Sequence, residues 1–237
     1  MRCCSIASVL AVCCLFGNGC SEGVSRATVA TVFFVKGNVA FGSAERNRFQ
    51  PVTLQSRIHD GNTVHSLNGA SINLAFVPGA FARIFGDSEI KVEELRITKD
   101  GNQTASGMRD RSARIRLIRG KIIVLFNRSY TSKSQFAITT RQVTVNPDSD
   151  CLFCLWTDGA TTRVTCARGE VTAPADTQPP VTIAAGYCQH WPGPSKKPLA
   201  AARDAAAQAD VMESLEAGEE LLDQAAGWEN RRPQQVL

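Results

Sequence analysis

An all-β fold with one appended helix is what this sequence predicts, and three observations carry that reading. Between Val29 and Val92, short β-rich runs alternate with glycine-bearing bends at nearly regular intervals. The same rhythm resumes beyond Gly120 and again beyond Gly169. After Pro198 the composition shifts abruptly to Ala, Glu, Asp and Leu, residues that favour helix.

The runs follow in order. Thr31–Val35 ends at Lys36-Gly37-Asn38, and Gln50–Leu54 leads to His59-Asp60-Gly61-Asn62. Thr63–Ser66 turns at Asn68-Gly69, Ser71–Phe76 at Pro78-Gly79, and Ala82–Phe85 stops at Gly86-Asp87 before Glu89–Val92. Alternating apolar and polar side chains predict strands with one buried face. Asn-Gly, Asp-Gly and Pro-Gly mark the bends, because glycine enters backbone angles that other residues avoid. A polar loop is expected over Asp100–Arg111. Further strands are expected at Arg114–Ile118, Ile122–Phe126, Gln135–Thr140, Gln142–Val145, Cys151–Thr157, Arg163–Ala167, Glu170–Thr172 and Val181–Ile183. These short strands would stack as a solenoid or a sandwich.

The expected organisation is a signal segment over 1–19, a β domain over 28–190, a proline-rich hinge over 191–198, a helix over 199–227 and a frayed tail over 228–237. In the helix, Val211, Leu215, Leu222 and Ala225 make one apolar stripe, which Gly218 interrupts and weakens. The stripe reads as a packing face against the β domain. A partner-binding segment is the alternative, since the stripe is short for a coiled coil.

With 237 residues, 43% of them hydrophobic and 20% charged, the chain has room for one sizeable core with appendages. Its start is different. Arg2 precedes an apolar run from Ser5 to Phe16, too short for a bilayer span of about twenty residues but suited to a secretory signal. The run closes on Gly17-Asn18-Gly19-Cys20-Ser21. A small residue before a cysteine resembles the lipobox of bacterial lipoproteins and makes Cys20 the expected lipidated N-terminus, although Gly17 stands where that motif has leucine. Gly17 and Gly19 also form a small-x-small site for ordinary cleavage, which stays open. Either way export is expected, to the periplasm or to an outer-membrane-anchored state.

Four cysteines lie beyond that point: Cys151, Cys154, Cys166 and Cys188. An even number in an oxidising compartment predicts two disulfides. Pairing Cys154 with Cys166 across the Asp158-Gly159 turn leaves Cys151 for Cys188. Buried free thiols, a redox pair and a metal site at Cys151-x-x-Cys154 are the alternatives. A redox pair needs a helix N-terminus, whereas this one lies in a strand-like run. No second Cys-x-x-Cys and no His-x-x-x-His completes a zinc set.

Charge divides along the chain. From Leu199 onward there are three basic and eight acidic side chains; between the signal and Leu199 there are 22 basic and 14 acidic. Much of the basic surplus sits in Arg109, Arg111, Arg114, Arg116, Arg119 and Lys121. Alternation with Ile115 and Leu117 predicts a cationic strand face. Such a face is either simply solvated or a patch for an acidic partner: an anionic glycan, lipid head groups or the chain's own tail. Nucleic acid is not expected, because aromatic interleaving and reader motifs are absent.

Catalytic constellations are also missing. His59, His65 and His190 show no spacing with a nucleophile, Glu93-Glu94 is the sole adjacent carboxylate pair of the β domain, and no glycine loop is spaced to cradle phosphate. No catalytic residue, metal site or cofactor is expected, and the protein is not expected to be an enzyme.

Several motifs recur in one collinear order. They are Val35-Lys36-Gly37-Asn38-Val39, Gln50-Pro51-Val52, Asp60-Gly61-Asn62, Asn73 to Gly79, Ser88-Glu89-Ile90, Leu117 to Ile122, Phe136 to Thr140 and Arg168-Gly169-Glu170-Val171. Together they resemble the FecR-like domain of bacterial envelope proteins over most of Val32 to Gly186. Asp60-Gly61 reverses the family's Gly-Asp order, and Thr140 replaces its proline. Asp148 to Phe153 departs from its Arg-Gly-Thr-x-Phe segment, where a disulfide at Cys151 would replace the rigidity of the missing turn. The resemblance implies short stacked strands. Its namesake relays transporter occupancy to a sigma factor through a cytoplasmic domain and a membrane span. The early apolar run, Ser5 to Phe16, argues against carrying that role over. The expected function is a non-enzymatic envelope scaffold that contacts a protein partner or a cell-wall polymer, held to a membrane by lipid at Cys20. The alternative is a sensor or anti-sigma accessory in an envelope signalling system.

Overall fold

Alternating side chains dictate the architecture: most strands send one row of apolar residues inward and a second row outward. The structure, a computed structural model, describes residues 24–99, 108–128, 133–174, 180–193 and 197–231. The first strands are β1 (Val24–Ala27), β2 (Ala30–Lys36), β3 (Val39–Ser43), β4 (Arg48–Pro51), β5 (Arg57–Ile58) and β6 (Thr63–Ser66). Then come β7 (Ser71–Val77), β8 (Ala80–Phe85), β9 (Ser88–Lys99), β10 (Met108–Phe126), β11 (Lys133–Thr139) and β12 (Thr144–Val145). The last are β13 (Cys151–Thr157), β14 (Thr162–Arg168), β15 (Glu170–Ala173), β16 (Val181–Ala184), β17 (Tyr187–Trp191) and β18 (Leu199–Ala200). A 3-10 turn at Ala201–Arg203 leads into the helix α1 (Ala205–Arg231).

Sixteen of these strands form one hydrogen-bonded sheet that folds into two layers, while β15 and β16 make a separate hairpin. The first layer runs β12-β11-β10-β9-β6-β3-β4, with β1 on the far end of β9. The second runs β5-β2-β7-β8-β10-β13-β14-β17-β18. Strand β10 belongs to both. Its first part pairs with β9 and, in parallel, with β11; residues from Gly120 onward pair with β8 and β13. The crossing depends on Gly120, whose φ is +95° and whose missing Cβ would overlap Ser88. Ser88 Oγ accepts from Lys121 N at 2.9 Å there.

That crossing reverses the alternation. Before it, Arg111, Ala113, Ile115 and Leu117 point into the core; after it, Ile122, Val124 and Phe126 do. A register shift between Leu117 and Arg119 takes up the difference. The shared core includes Leu74, Phe76, Ile84, Ile90, Ile115 and Phe153, each at most 1% exposed. Burial at that level stabilises by about 1.5–3 kcal/mol per large side chain.

Helix α1 covers the outer side of the second layer through Ala207, Asp210, Ser214, Ala217, Leu221 and Ala225, all buried and spaced by three or four. The predicted start at Leu199 is corrected to Ala205, because Leu199 and Ala200 pair with β17 and Asp204 caps the helix. The predicted stripe also changes. Leu222 is 42% exposed, and the contact face is built from smaller residues. Gly218 is a close-packing site: a Cβ there would fall 2.6 Å from Leu152 Cδ2. The helix continues to Arg231, past the predicted end at 227, and residues 232–237 lie outside the described residues. Of the loop predicted over Asp100–Arg111, residues 108–111 already belong to β10, and 100–107 lie outside the described residues. The predicted hinge narrows, since Trp191 ends β17. The signal segment and Cys20 lie outside the described residues. Among the described residues no helix is long and apolar enough to cross a membrane.

Candidate functional site

The predicted cationic face does not exist as one surface, because β10 distributes its basic residues three ways. Arg114, Arg116 and Arg119 stand exposed on the outer side of the first layer. There they meet carboxylates from β9: Arg116 Nε lies 2.6 Å from Glu93, Arg119 Nε 3.5 Å from Glu89 and Arg114 3.9 Å from Glu94. Arg111 is corrected to the opposite side. It is 1% exposed, donates to the carbonyls of Pro78 and Asn127, and stacks over Phe126 at 5.7 Å. Its period places it with Ile115 and Leu117, so a buried guanidinium pins the turn between β7 and β8. Arg109 lies within β10, but its side chain is outside the described residues.

Lys121 is corrected to the outer side of the second layer, where α1 covers it. Its Nζ is 3.1 Å from Asp210 and also pairs with Glu213. Arg163 Nε reaches Asp210 at 2.7 Å, and Arg83 pairs with Glu220. Asn73 donates to Gln224 at 2.8 Å. Phe85 and Trp156 lie under the Lys121 and Arg163 cations at 5.4 and 5.2 Å. Burial opposes the charged form of Lys121, yet Glu213 and Asp210 hold its pKa above the ordinary lysine value. Of the acidic partners that the sequence leaves open for these cations, the chain's own tail occupies this position.

The four cysteines are buried free thiols, and the predicted disulfides are corrected. Cys154 faces α1 with Ile123, Leu152 and Ala217, whereas Cys166 faces the core between the layers. Strand pleating thus puts the sheet between them. Cys151 lies in that core, and Cys188 sits in a separate cluster with Ala201 and Ala207. The turn rigidity predicted from a disulfide at Cys151 therefore has no support. Burial pushes the Cys166 thiol up to about 12 and also raises those of Cys151 and Cys154 well above the ordinary thiol value, which suppresses their thiolates.

A different surface remains open. Strand β4 pairs only with β3 among the described residues, and all four of its residues are exposed. Beside it lies a cleft of about 270 Å³ lined by Asn38, Val39, Phe49, Pro51, His65 and Leu67. Phe49 and Leu67 are 38% and 58% exposed, and Leu54, in the turn after β4, is 55% exposed. The His65 ring meets Phe49 edge-on at 4.7 Å and lies 3.9 Å from Glu89. The corner therefore offers an apolar rim, one polar ring and an unpaired strand edge, the combination that accepts an extended peptide. Sequence reasoning missed it, although Leu67 signals it, as a large apolar residue next to the Asn68-Gly69 turn; Leu54, expected at the end of a strand, lies in a turn because β4 ends at Pro51.

No model of a known protein family matches the chain, and no curated protein matches it. Two crystal structures of a protein from Parabacteroides distasonis, provisionally described as an anti-sigma factor, are similar to it at 12% identity. Their TM-scores are 0.40 and 0.39, over 54% of this chain and 53% of that one. The chain thus spans about half the length of those proteins, and a likeness at this level carries no functional argument.

Proposed function

We propose that this chain is a non-enzymatic envelope protein whose FecR-like β domain holds an extended segment of a partner protein at the β3–β4 corner. The observation that carries the reading is the exposed apolar cleft beside an unpaired strand edge. A protein segment fits this corner better than an anionic polymer fits β10, because Arg114, Arg116 and Arg119 already face Glu94, Glu93 and Glu89. Lipid at Cys20 tethers the domain, and the two β layers present the corner rigidly. The collinear motif likeness to FecR-like domains supports a second reading, in which the bound protein belongs to a signalling relay.

The test places photo-crosslinking residues at Phe49 and Leu67 in the exported, full-length protein. Both positions should trap the same envelope protein through an extended segment, and Phe49→Asp with Leu67→Asp should abolish its co-purification. Retention of that partner by the double variant overturns the reading. The identity of the trapped protein then separates a scaffold from a relay. Truncation before α1 is the poorer experiment, since it strips the cover from Phe81, Ile123 and Leu152.

A further inference from the structure

Cys188 and His190 stand two residues apart on β17 and share the face that meets the start of α1. Asp204 completes a cluster with them: one ligand-competent atom from each of the three lies within 4.8 Å of the others. His190 Nε2 is 2.9 Å from Asp204 Oδ2. The second carboxylate oxygen is already engaged, because Oδ1 accepts from the backbone N–H groups of Ala206 and Ala207 at 2.9 and 3.0 Å. Those two bonds orient Asp204, so that Oδ2 is turned to the imidazole. Cys188 is fully buried, while the His190 and Asp204 side chains are 39% and 24% exposed. The cluster has a dry floor and a wet mouth.

We propose that Cys188, His190 and Asp204 form a zinc-binding site, with water in the fourth position. Thiolate, imidazole and carboxylate are the donors zinc accepts, whereas calcium and magnesium call for oxygen alone. Bond lengths of about 2.0–2.3 Å place neighbouring ligands of a tetrahedral zinc about 3.3–3.8 Å apart. The 2.9 Å contact and the 4.8 Å span bracket that range, and the half-exposed imidazole has room to adjust. Binding exchanges the Cys188 thiol proton, released to solvent, for the metal. Thiolate and carboxylate then balance the divalent charge beside a neutral imidazole. Arg163, opposite His190 in the β14–β17 ladder, does not repel the ion unopposed, since Asp210 holds its guanidinium at 2.7 Å. The bound ion ties β17 to the first turn of α1. This site is independent of the β3–β4 corner.

The test uses full-length protein, reduced and stripped by chelation, titrated with Co²⁺ as a spectroscopic substitute and then with Zn²⁺. The expected result is one equivalent bound, with a thiolate-to-cobalt charge-transfer band that zinc displaces and that Cys166→Ser retains. Cys188→Ser should lose the band. His190→Ala, at a partly exposed position that spares the fold, should weaken binding about tenfold or more, since even outer-shell partners of a metal contribute that much. Zinc should raise the melting temperature of the native protein and not that of His190→Ala. Absence of a thiolate band, its persistence in Cys188→Ser, or unchanged affinity in His190→Ala overturns the proposal.

Discussion

On the outer side of the first β layer, Arg114, Arg116 and Arg119 interleave with three glutamates of the neighbouring strand in open solvent. On the outer side of the second, Arg83, Lys121 and Arg163 meet carboxylates that α1 lays over them. The residue types are the same, but the consequences differ. The first set screens itself and leaves a mixed, well-solvated face, where each pair contributes about 0–1 kcal/mol. In the second, Asp210 is 2% exposed and sits between two cations, so losing it strands charge in a partly dry interface. Burial, not the number of ion pairs, decides which face holds the molecule together.

Three substitutions sharpen or break that contrast. Asp210→Ala should cost most, about 3 kcal/mol, because it leaves Arg163 and Lys121 short of a buried partner. Urea unfolding measures it, and a loss below about 1 kcal/mol would erase the distinction between the faces. Gly218→Val should cost about 1–3 kcal/mol by pressing a side chain into Leu152. If the helix lifts as a consequence, limited proteolysis should cut α1 faster while the β layers stay intact. Arg116→Ala, on the open face, should change stability by less than about 1 kcal/mol, and 0.5 M salt should make the change smaller still.

Much of the fold was legible because its signals are local. Strands β7 and β8 follow from alternation and turn glycines, β13 from a continuous apolar run before the Asp158-Gly159 turn, and the helix from composition. Two corrections were within reach of the same arithmetic. Arg111 shares its parity with Ile115 and Leu117, but its charge and its place at the end of the expected loop argued for the surface. The α1 contact face recurs at three and four residues, but apart from Leu221 it consists of Ala, Ser, Gly and Asp, which hydrophobicity alone does not flag. Lys121 was out of reach, since the shift between Leu117 and Arg119 and the crossing at Gly120 turn it to another face. The corner at Phe49 and Leu67 was half legible, since Leu67 is a large apolar residue set beside the Asn68-Gly69 turn, just past the end of β6.

The sequence by itself determined that the chain forms strands punctuated by glycine, followed by one acidic helix. Backbone preference and side-chain period are properties of neighbouring residues, and they survive without knowledge of the whole. Only the tertiary structure decided that one long strand serves two layers, and that acidic α1 neutralises the second layer's cations. It also decided that Cys188 and His190 meet Asp204, and that Cys154 and Cys166 face opposite sides of a sheet. Those outcomes depend on which distant segments share a face, and a single register shift or a missing Cβ settles that.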